Sequence, residues 1–295
     1  MLTVAGIPVT EHQLMMAKAA GIREIVLATS YLSEVFTPYF GDGSKWGMSI
    51  KYAVEKEPLG TGGAIANAAQ LLETKESIVI LNGDVLSSHD LTEQIRQHEA
   101  NDADVTLHLT QVEDARAFGC VPTDAQGRVT AFLEKMESPV TNQINAGCYV
   151  FNPRVIASIP VETVVSVERE TFPQLVSDGA KVYGYLENAY WLDIGTPKAL
   201  LKASTDIVLR SGPGLVMPDA LVDPTAVITG GSCIGRGSSV GAGTRINGSI
   251  VEAGAVIGRD VVIDNSFVAT GAIIDDGAKI GSTFVTKGEI LPIPA

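Results

Sequence analysis

The chain has 295 residues, 45% hydrophobic and 19% charged, with a formal net charge of −13 at pH 7. That length favours two domains over one. The acidity argues against nucleic-acid polymers and anionic membranes as partners, while small phosphorylated substrates need only a local Lys or Arg and a divalent cation. No stretch approaches the roughly 18 apolar residues of a membrane span, and the apolar start at Met1 to Val9 lacks the basic residues of a signal peptide. Cys120, Cys148 and Cys233 lie far apart without paired spacing, which argues against a disulfide frame or zinc site and makes the cytoplasm the natural compartment.

Along the chain, Thr10 reads as a helix N-cap, with Gln13 completing a capping box and Val9 and Leu14 placed as a hydrophobic staple. Gly21 is placed to end that helix, and "REIVLAT" reads as a buried strand. The first regular element is thus a helix, although alternating α/β folds usually open on a strand. "MSIKYAV", "SIVILNGD" and "DVTLHLTQV" read as further strands, and Leu32 to Phe40, Ala64 to Leu72 and Asp90 to Glu99 as helices between them. The alternation suggests a mostly parallel, doubly wound α/β sheet. Then follow a hairpin around Gln126 and Gly127, a strand at "NAGCYVFN", and a last helix from Thr196 and Pro197 to about Arg210.

After "RSGPG" the pattern changes. Aliphatic residues fall six apart at Val222, Ile228, Ile234, Val240 and Ile246, slip by one to Val251, Ile257 and Ile263, and slip again to Val268, Ile274 and Ile280. A period of six fits a parallel β-helix of hexapeptide repeats, three hexads to a coil, and no amphipathic helix. The domains are therefore expected at 1–210 and 211–295. Acyl transfer on such coils generally uses a histidine, and His12, His89, His98 and His108 all precede residue 210. A packing or oligomerising role is the better reading for the C-terminal half.

Chemistry-bearing residues gather in the first half. In "EPLGTGGAI", Leu59, Gly60, Thr61, Gly62 and Gly63 form a turn between a strand and a helix, able to bring backbone N–H groups near a ligand but more often simply a tight connection. Asp84, in "ILNGDV", ends a strand, at the edge where open α/β sheets bind ligands. Asp193, in "YWLDIGTP", sits similarly before a helix, and two such carboxylates suit one Mg2+ that keeps phosphate oxygens as its other ligands. Glu134 and Lys135 read alone as a solvated pair, Asn145 and Gly147 as a strand entrance, and Glu168 as a carboxylate favoured by a helix dipole.

Their order changes the reading. "EPLGTGG", "LNGDV", "DAQGRVTAFLEK", "INAGCYVF", "VERETFP" and "YWLDIGTP", followed by the hexads, resemble the sugar-phosphate nucleotidyltransferases and most of all the mannose-1-phosphate guanylyltransferases, along the whole chain. The resemblance implies a Rossmann-like, doubly wound mixed sheet followed by a left-handed parallel β-helix. It also implies transfer of a nucleotidyl group from GTP to mannose 1-phosphate, giving GDP-mannose and pyrophosphate. By this resemblance Asp84 and Asp193 hold Mg2+ and Lys135 neutralises the sugar phosphate. Glu134, Asn145, Gly147 and Glu168 grip sugar hydroxyls, and Leu59 to Gly63 border the base. The partners implied are a nucleoside triphosphate and a sugar 1-phosphate, with self-association through the β-helix.

Two departures stand out. The family's first strand leads into a Gly-rich loop with Thr-Arg-Leu and then Lys-Pro-Met-Leu, which supply an Arg and a Lys to the triphosphate. Met1 aligns with the methionine of the second motif, so the chain is expected to be shortened, with a working protein that starts a few tens of residues upstream. Met136 also stands where relatives often carry Pro. Two other readings follow: a non-catalytic regulatory or assembly subunit, against which intact Asp84, Lys135 and Asp193 count, and thymidylyl or uridylyl transfer to glucose 1-phosphate.

Overall fold

The computed structural model describes residues 1, 3–29, 33–72 and 74–293. A hairpin of β1 (Thr3–Val4) and β2 (Ile7–Pro8) comes first, before α1 (Val9–Ala19). The helix takes in Thr10 instead of starting after it, and Gln13 closes no capping box. Its amide nitrogen donates instead to the carbonyls of Asn82 (2.7 Å) and Val85 (3.0 Å). Gly21, at φ +88°, ends the helix as its sequence position requires.

Next come β3 (Glu24–Thr29), α2 (Ser33–Phe40) and β4 (Ser49–Val54). Leu32, the expected start of α2, lies outside the described residues. Helix α3 (Gly60–Ala69) begins four residues before Ala64, because the glycines form its first turn. Strands β5 (Ile78–Leu81) and β6 (Val85–Ser87) lead to α4 (Leu91–Ala100), whose N-cap Asp90 accepts from the Glu93 N–H at 2.9 Å. After β7 (Val105–Gln111) come β8 (Gly119–Cys120), β9 (Leu133–Glu134) and β10 (Gln143–Phe151). The turn at Gly127, φ +78°, brings Thr123 opposite Val129 without building longer strands. Helix α5 (Pro153–Ile156) is followed by a wide π-type turn at Val167–Thr171 that runs into α6 (Phe172–Ser177). Strands β11 (Val182–Leu186) and β12 (Trp191–Asp193) precede α7 (Pro197–Leu209), where Thr196 caps Ala199 N–H at 3.2 Å as read from its sequence.

The chain forms two compact units, Gln13–Trp191 and Met1–His12 with Leu192–Ala295. In the first, β10 is the hub. One of its edges pairs antiparallel with β7, and the other with β5 through Cys148–Phe151 and with β8 at Ile144. Strand β11 runs parallel to β7, and β9 antiparallel to β8. The sheet is therefore mixed and not mostly parallel, because β10 runs against its neighbours. Among the described residues β5 pairs with β10 alone, and β3 and β4 form a separate parallel pair. Leu107, Leu109, Tyr149 and Phe151 bury one face against Ala66, Val155, Ile156 and Phe172. Each such side chain contributes about 1.5–3 kcal/mol by leaving water.

The second unit carries the β-helix. Its short strands stack parallel in three sheets, with Ile228, Ile246, Ile263 and Ile280 in one register and Val222, Val240, Ile257 and Ile274 in another. The third aligns Ile234, Val251, Val268 and Val285. The slips in the hexad pattern have a physical cause at one corner. The first coil turns through two left-handed glycines, Gly230 and Gly231, whereas later coils turn through one left-handed residue each, Gly248, Asn265 and Ser282. Beside this corner a buried ladder rises: the Ser249, Ser266 and Thr283 amides donate to the hydroxyls of Ser232, Ser249 and Ser266, at 3.0, 3.0 and 3.2 Å. Each of these serine hydroxyls donates in turn to a corner carbonyl, of Thr229, Asn247 or Asp264. Replacing one hydroxyl leaves a buried amide unpaired. Ser249→Ala is expected to lower the stability of this unit by about 1–3 kcal/mol in urea unfolding, and an unchanged midpoint would show that the ladder carries no stability.

Candidate functional site

The apolar run of β5 ends in a turn of Asn82, Gly83 and Asp84. The Asn82 N–H donates to the Gly147 carbonyl at 2.8 Å, tying this turn to β10. There the register of β10 on β7 shifts between Asn145 and Tyr149, so that Ala146, Gly147 and Cys148 bulge out of the ladder. Gly147 has φ +74°, and a Cβ there would lie 3.0–3.1 Å from Asn82 and Val85 atoms, so the bulge needs glycine. Asn145 bridges the bulge: its Oδ1 accepts from the Gly147 N–H at 3.2 Å, and its Nδ2 donates to the Tyr149 hydroxyl at 2.9 Å. The Trp191 indole N–H holds the Ala146 carbonyl at 2.9 Å. Burial raises the Tyr149 phenol above its ordinary range, and the charge on Glu168 adds to this.

Glu168 reaches this place through the glycine-rich start of α3. Cβ atoms at Gly60 and Gly63 would stand 2.6 Å from the Val165 carbonyl oxygen and 2.3 Å from that of Thr163. These glycines exist so that the 163–167 segment can lie directly on the helix start. Gly62 N–H donates to Val165 O (2.8 Å) and Val165 N–H to Leu59 O (2.9 Å). On top of this contact the hydroxyls of Thr61 and Ser166 both donate to Glu168 Oε2, at 2.7 and 2.8 Å. Thr61 Oγ1 also accepts from the Val167 N–H at 3.0 Å. The carboxylate is thus fixed on the wide turn, a helix irregularity found often at functional sites.

Glu134 ends β9, and Lys135 follows it. The Glu134 carboxylate folds over Gly119, where a Cβ would come 2.9 Å from its Oε2. Lys135 has φ +49°, a left-handed conformation that an L-residue with a long side chain rarely adopts, and its N–H donates to Phe118 O at 3.2 Å. Asp193 belongs to the other unit, and its Oδ1 accepts from the Gly195 N–H at 2.8 Å. Among the described residues no group of three or more His, Cys, Asp and Glu side chains is gathered around a metal position. Asp84 and Asp193 are hard oxygen donors of the kind that Mg2+ takes one or two at a time.

The structure thus joins Thr61 directly to Glu168, and Asn145 and Gly147 to the Asp84 turn. Glu134 and Lys135 connect to this group through the pairing of β9 with β8 and β8 with β10. Sequence reasoning missed Gln13, Asn82, Tyr149 and Trp191, which hold the turn and bulge in place.

The profile of the nucleotidyl transferase family matches residues 1–209. The chain belongs to that family. It is 46% identical over 262 residues to the mannose-1-phosphate guanylyltransferase of Mycobacterium tuberculosis, covering 85% of this chain and 73% of that protein. It is 33% identical to the mannose-1-phosphate guanylyltransferase catalytic subunit beta of Danio rerio, with 73% of this chain and 63% of that one aligned. The chain therefore spans less than two thirds of the zebrafish relative. Among solved structures, HddC from Yersinia pseudotuberculosis complexed with GMP-PN superposes with a TM-score of 0.61 at 26% identity, over 70% of this chain and 88% of that one. Nucleotidyl transferases of this family generally use a divalent metal. No described helix is long and apolar enough to cross a membrane.

Behind the bulge lies an electrostatic feature of the same unit. His108 is the β7 residue between the two paired runs, and its ring stacks on that of His89 with centroids 3.9 Å apart. Both His108 ring nitrogens are buried without a partner. Burial, aided by the neighbouring His89, pushes its pKa down from 6.5 to about 3. Between these values the unfolded chain binds the proton and the folded one does not, so stability falls as pH drops from 6.5 towards 3, by at most about 1.4 kcal/mol per pH unit. His108→Phe is expected to flatten the acid side of the stability profile and to raise the melting temperature at neutral pH. A parallel profile in that variant would show that His108 does not set the acid limit.

Proposed function

We propose that this protein transfers a guanylyl group from GTP to mannose 1-phosphate, giving GDP-mannose and pyrophosphate, with Mg2+ as its cofactor. The observations that carry the reading are Glu168 held by Thr61 and Ser166, Asn145 and Gly147 tied to the Asp84 turn, and Lys135 held in a left-handed backbone. The names of the mycobacterial and zebrafish relatives support the substrates, and the GMP-PN of the HddC structure supports guanine.

A phosphate oxygen of mannose 1-phosphate attacks the α-phosphorus of GTP, and the bond to the bridging oxygen breaks, so that pyrophosphate leaves with the electron pair. That oxygen is already anionic, so no side chain has to take a proton. The burden is alignment and charge neutralisation. Lys135 would neutralise the sugar phosphate as it approaches. Glu168, fixed by Thr61 and Ser166, and Glu134 would accept hydrogen bonds from sugar hydroxyls, and Asn145 and the Gly147 backbone would orient the ring. The turn from Leu59 to Gly63 would border the base. Asp84 and Asp193 would hold the metal, which when bound supplies Lewis-acid neutralisation of phosphate oxygens. Self-association belongs to the same reading: Leu221, Val256 and Ile273 align in register on one outer sheet of the β-helix and are exposed. So does a cytoplasmic location, which suits three free, buried thiols.

Pyrophosphate release measured across nucleotide and sugar pairs tests the assignment. GTP with mannose 1-phosphate is expected to be fastest, and equal rates with every pair would undo it. Asp84→Asn is expected to reduce turnover to near background while its circular dichroism stays native, and normal turnover would remove Asp84 from the metal site. Lys135→Gly separates function from stability. It relieves a left-handed strain of about 1–2 kcal/mol, so the melting temperature should not fall, while kcat/KM drops by about 100-fold or more. A variant that loses stability and keeps activity would contradict the role given to Lys135.

A further inference from the structure

We infer that Gln94, oriented by His89, is a positioning residue that sets the β10 bulge and through it the sugar-phosphate affinity. This rests on the function proposed above. Gln94 projects from α4 and is fully buried. Its Nε2 donates to the carbonyls of Thr106 (3.2 Å) and Cys148 (3.4 Å). Its Oε1 accepts from Cys148 Sγ at 3.3 Å and meets His89 Nε2 at 3.0 Å. The two donated bonds fix which end of the amide is oxygen. His89 must therefore carry its proton on Nε2, leaving Nδ1 to accept from the Ser87 hydroxyl at 3.0 Å. Every polar atom of the Gln94 amide is thus used.

The location gives this network its meaning. Strands β7 and β10 pair up to Leu109 with Asn145 and resume at Leu107 with Tyr149, and between these points their ladder is broken. Gln94 holds one carbonyl at the end of the bulge, that of Cys148, and one of the adjoining paired run of β7, that of Thr106, which lies opposite Val150. Cys148, which it grips twice, adjoins Gly147 and lies three residues from Asn145. An aliphatic side chain would fill the same space without desolvating an amide. Filling space therefore does not account for the glutamine. Its amide ties the last bulge residue, Cys148, to β7 at the point where the pairing of β7 with β10 resumes.

The test is steady-state kinetics of Gln94→Met, which keeps length and burial and removes the amide, with KM measured separately for mannose 1-phosphate and GTP. The sugar-phosphate KM should rise about tenfold or more, while the GTP KM stays within about twofold. His89→Leu, which releases Gln94 Oε1 but leaves its donated bonds, should shift the same KM less, and serves alone if Gln94→Met does not fold. His108→Phe, in the same cluster but outside the Gln94 bonds, should move neither KM. Unchanged sugar-phosphate KM values, or both KM values rising together with a lost melting transition, would overturn the inference. If the wild-type protein transfers no nucleotide, the functional reading fails on its own. Amide hydrogen exchange at 146–149 then decides the positioning role. Faster exchange confined to that segment in the variant supports it, and unchanged exchange overturns it.

Discussion

The candidate site depends on a break in one strand. β10 carries the backbone pairing of β5, β7 and β8 along its two edges, so its path fixes three neighbours at once. Glycine at 147 permits the left-handed turn that takes Ala146, Gly147 and Cys148 out of the β7 ladder, and the Asn82 N–H bonds the Gly147 carbonyl. Asp84 and Asn145 owe their places to this one backbone event.

A similar logic governs the second half of the site. Backbone-to-backbone contact between the α3 start and the 163–167 segment needs residues without Cβ atoms, which is why glycines cluster in the turn. The cluster is a packing device in its first consequence and a site-building one in its second, because the contact delivers Glu168 to Thr61. Lys135, a non-glycine residue at φ +49°, adds a strained backbone. Strain of this kind persists where surrounding structure over-determines it, commonly at functional sites.

How much of this was legible in the sequence follows from the range of the interactions. The hexad period is local and repeats, so it read correctly residue by residue, and even its slips correspond to corners shortened by one residue. The Thr196 cap and the Asp90 cap also act within one turn of helix and were visible, the first as a cap and the second as a helix start. Gln13 was not, because a capping box and a tertiary hydrogen bond to Asn82 use the same residue type. The antiparallel direction of β10 was hidden for a related reason: "NAGCYVFN" reads as a strand in either direction, and only its partners decide. The site residues stood out as a series by resemblance, whereas Tyr149, Asn82 and Gln94, which position them, resemble ordinary core and turn residues.

The most direct measurement is a titration of the isotopically labelled protein with mannose 1-phosphate, followed by amide chemical shifts, with inorganic phosphate as the control. The account predicts saturable shifts at Lys135, at Asn145 to Cys148, and at Thr61 and Glu168, that phosphate alone does not reproduce. Shifts confined to other regions, or identical shifts with phosphate alone, would contradict it.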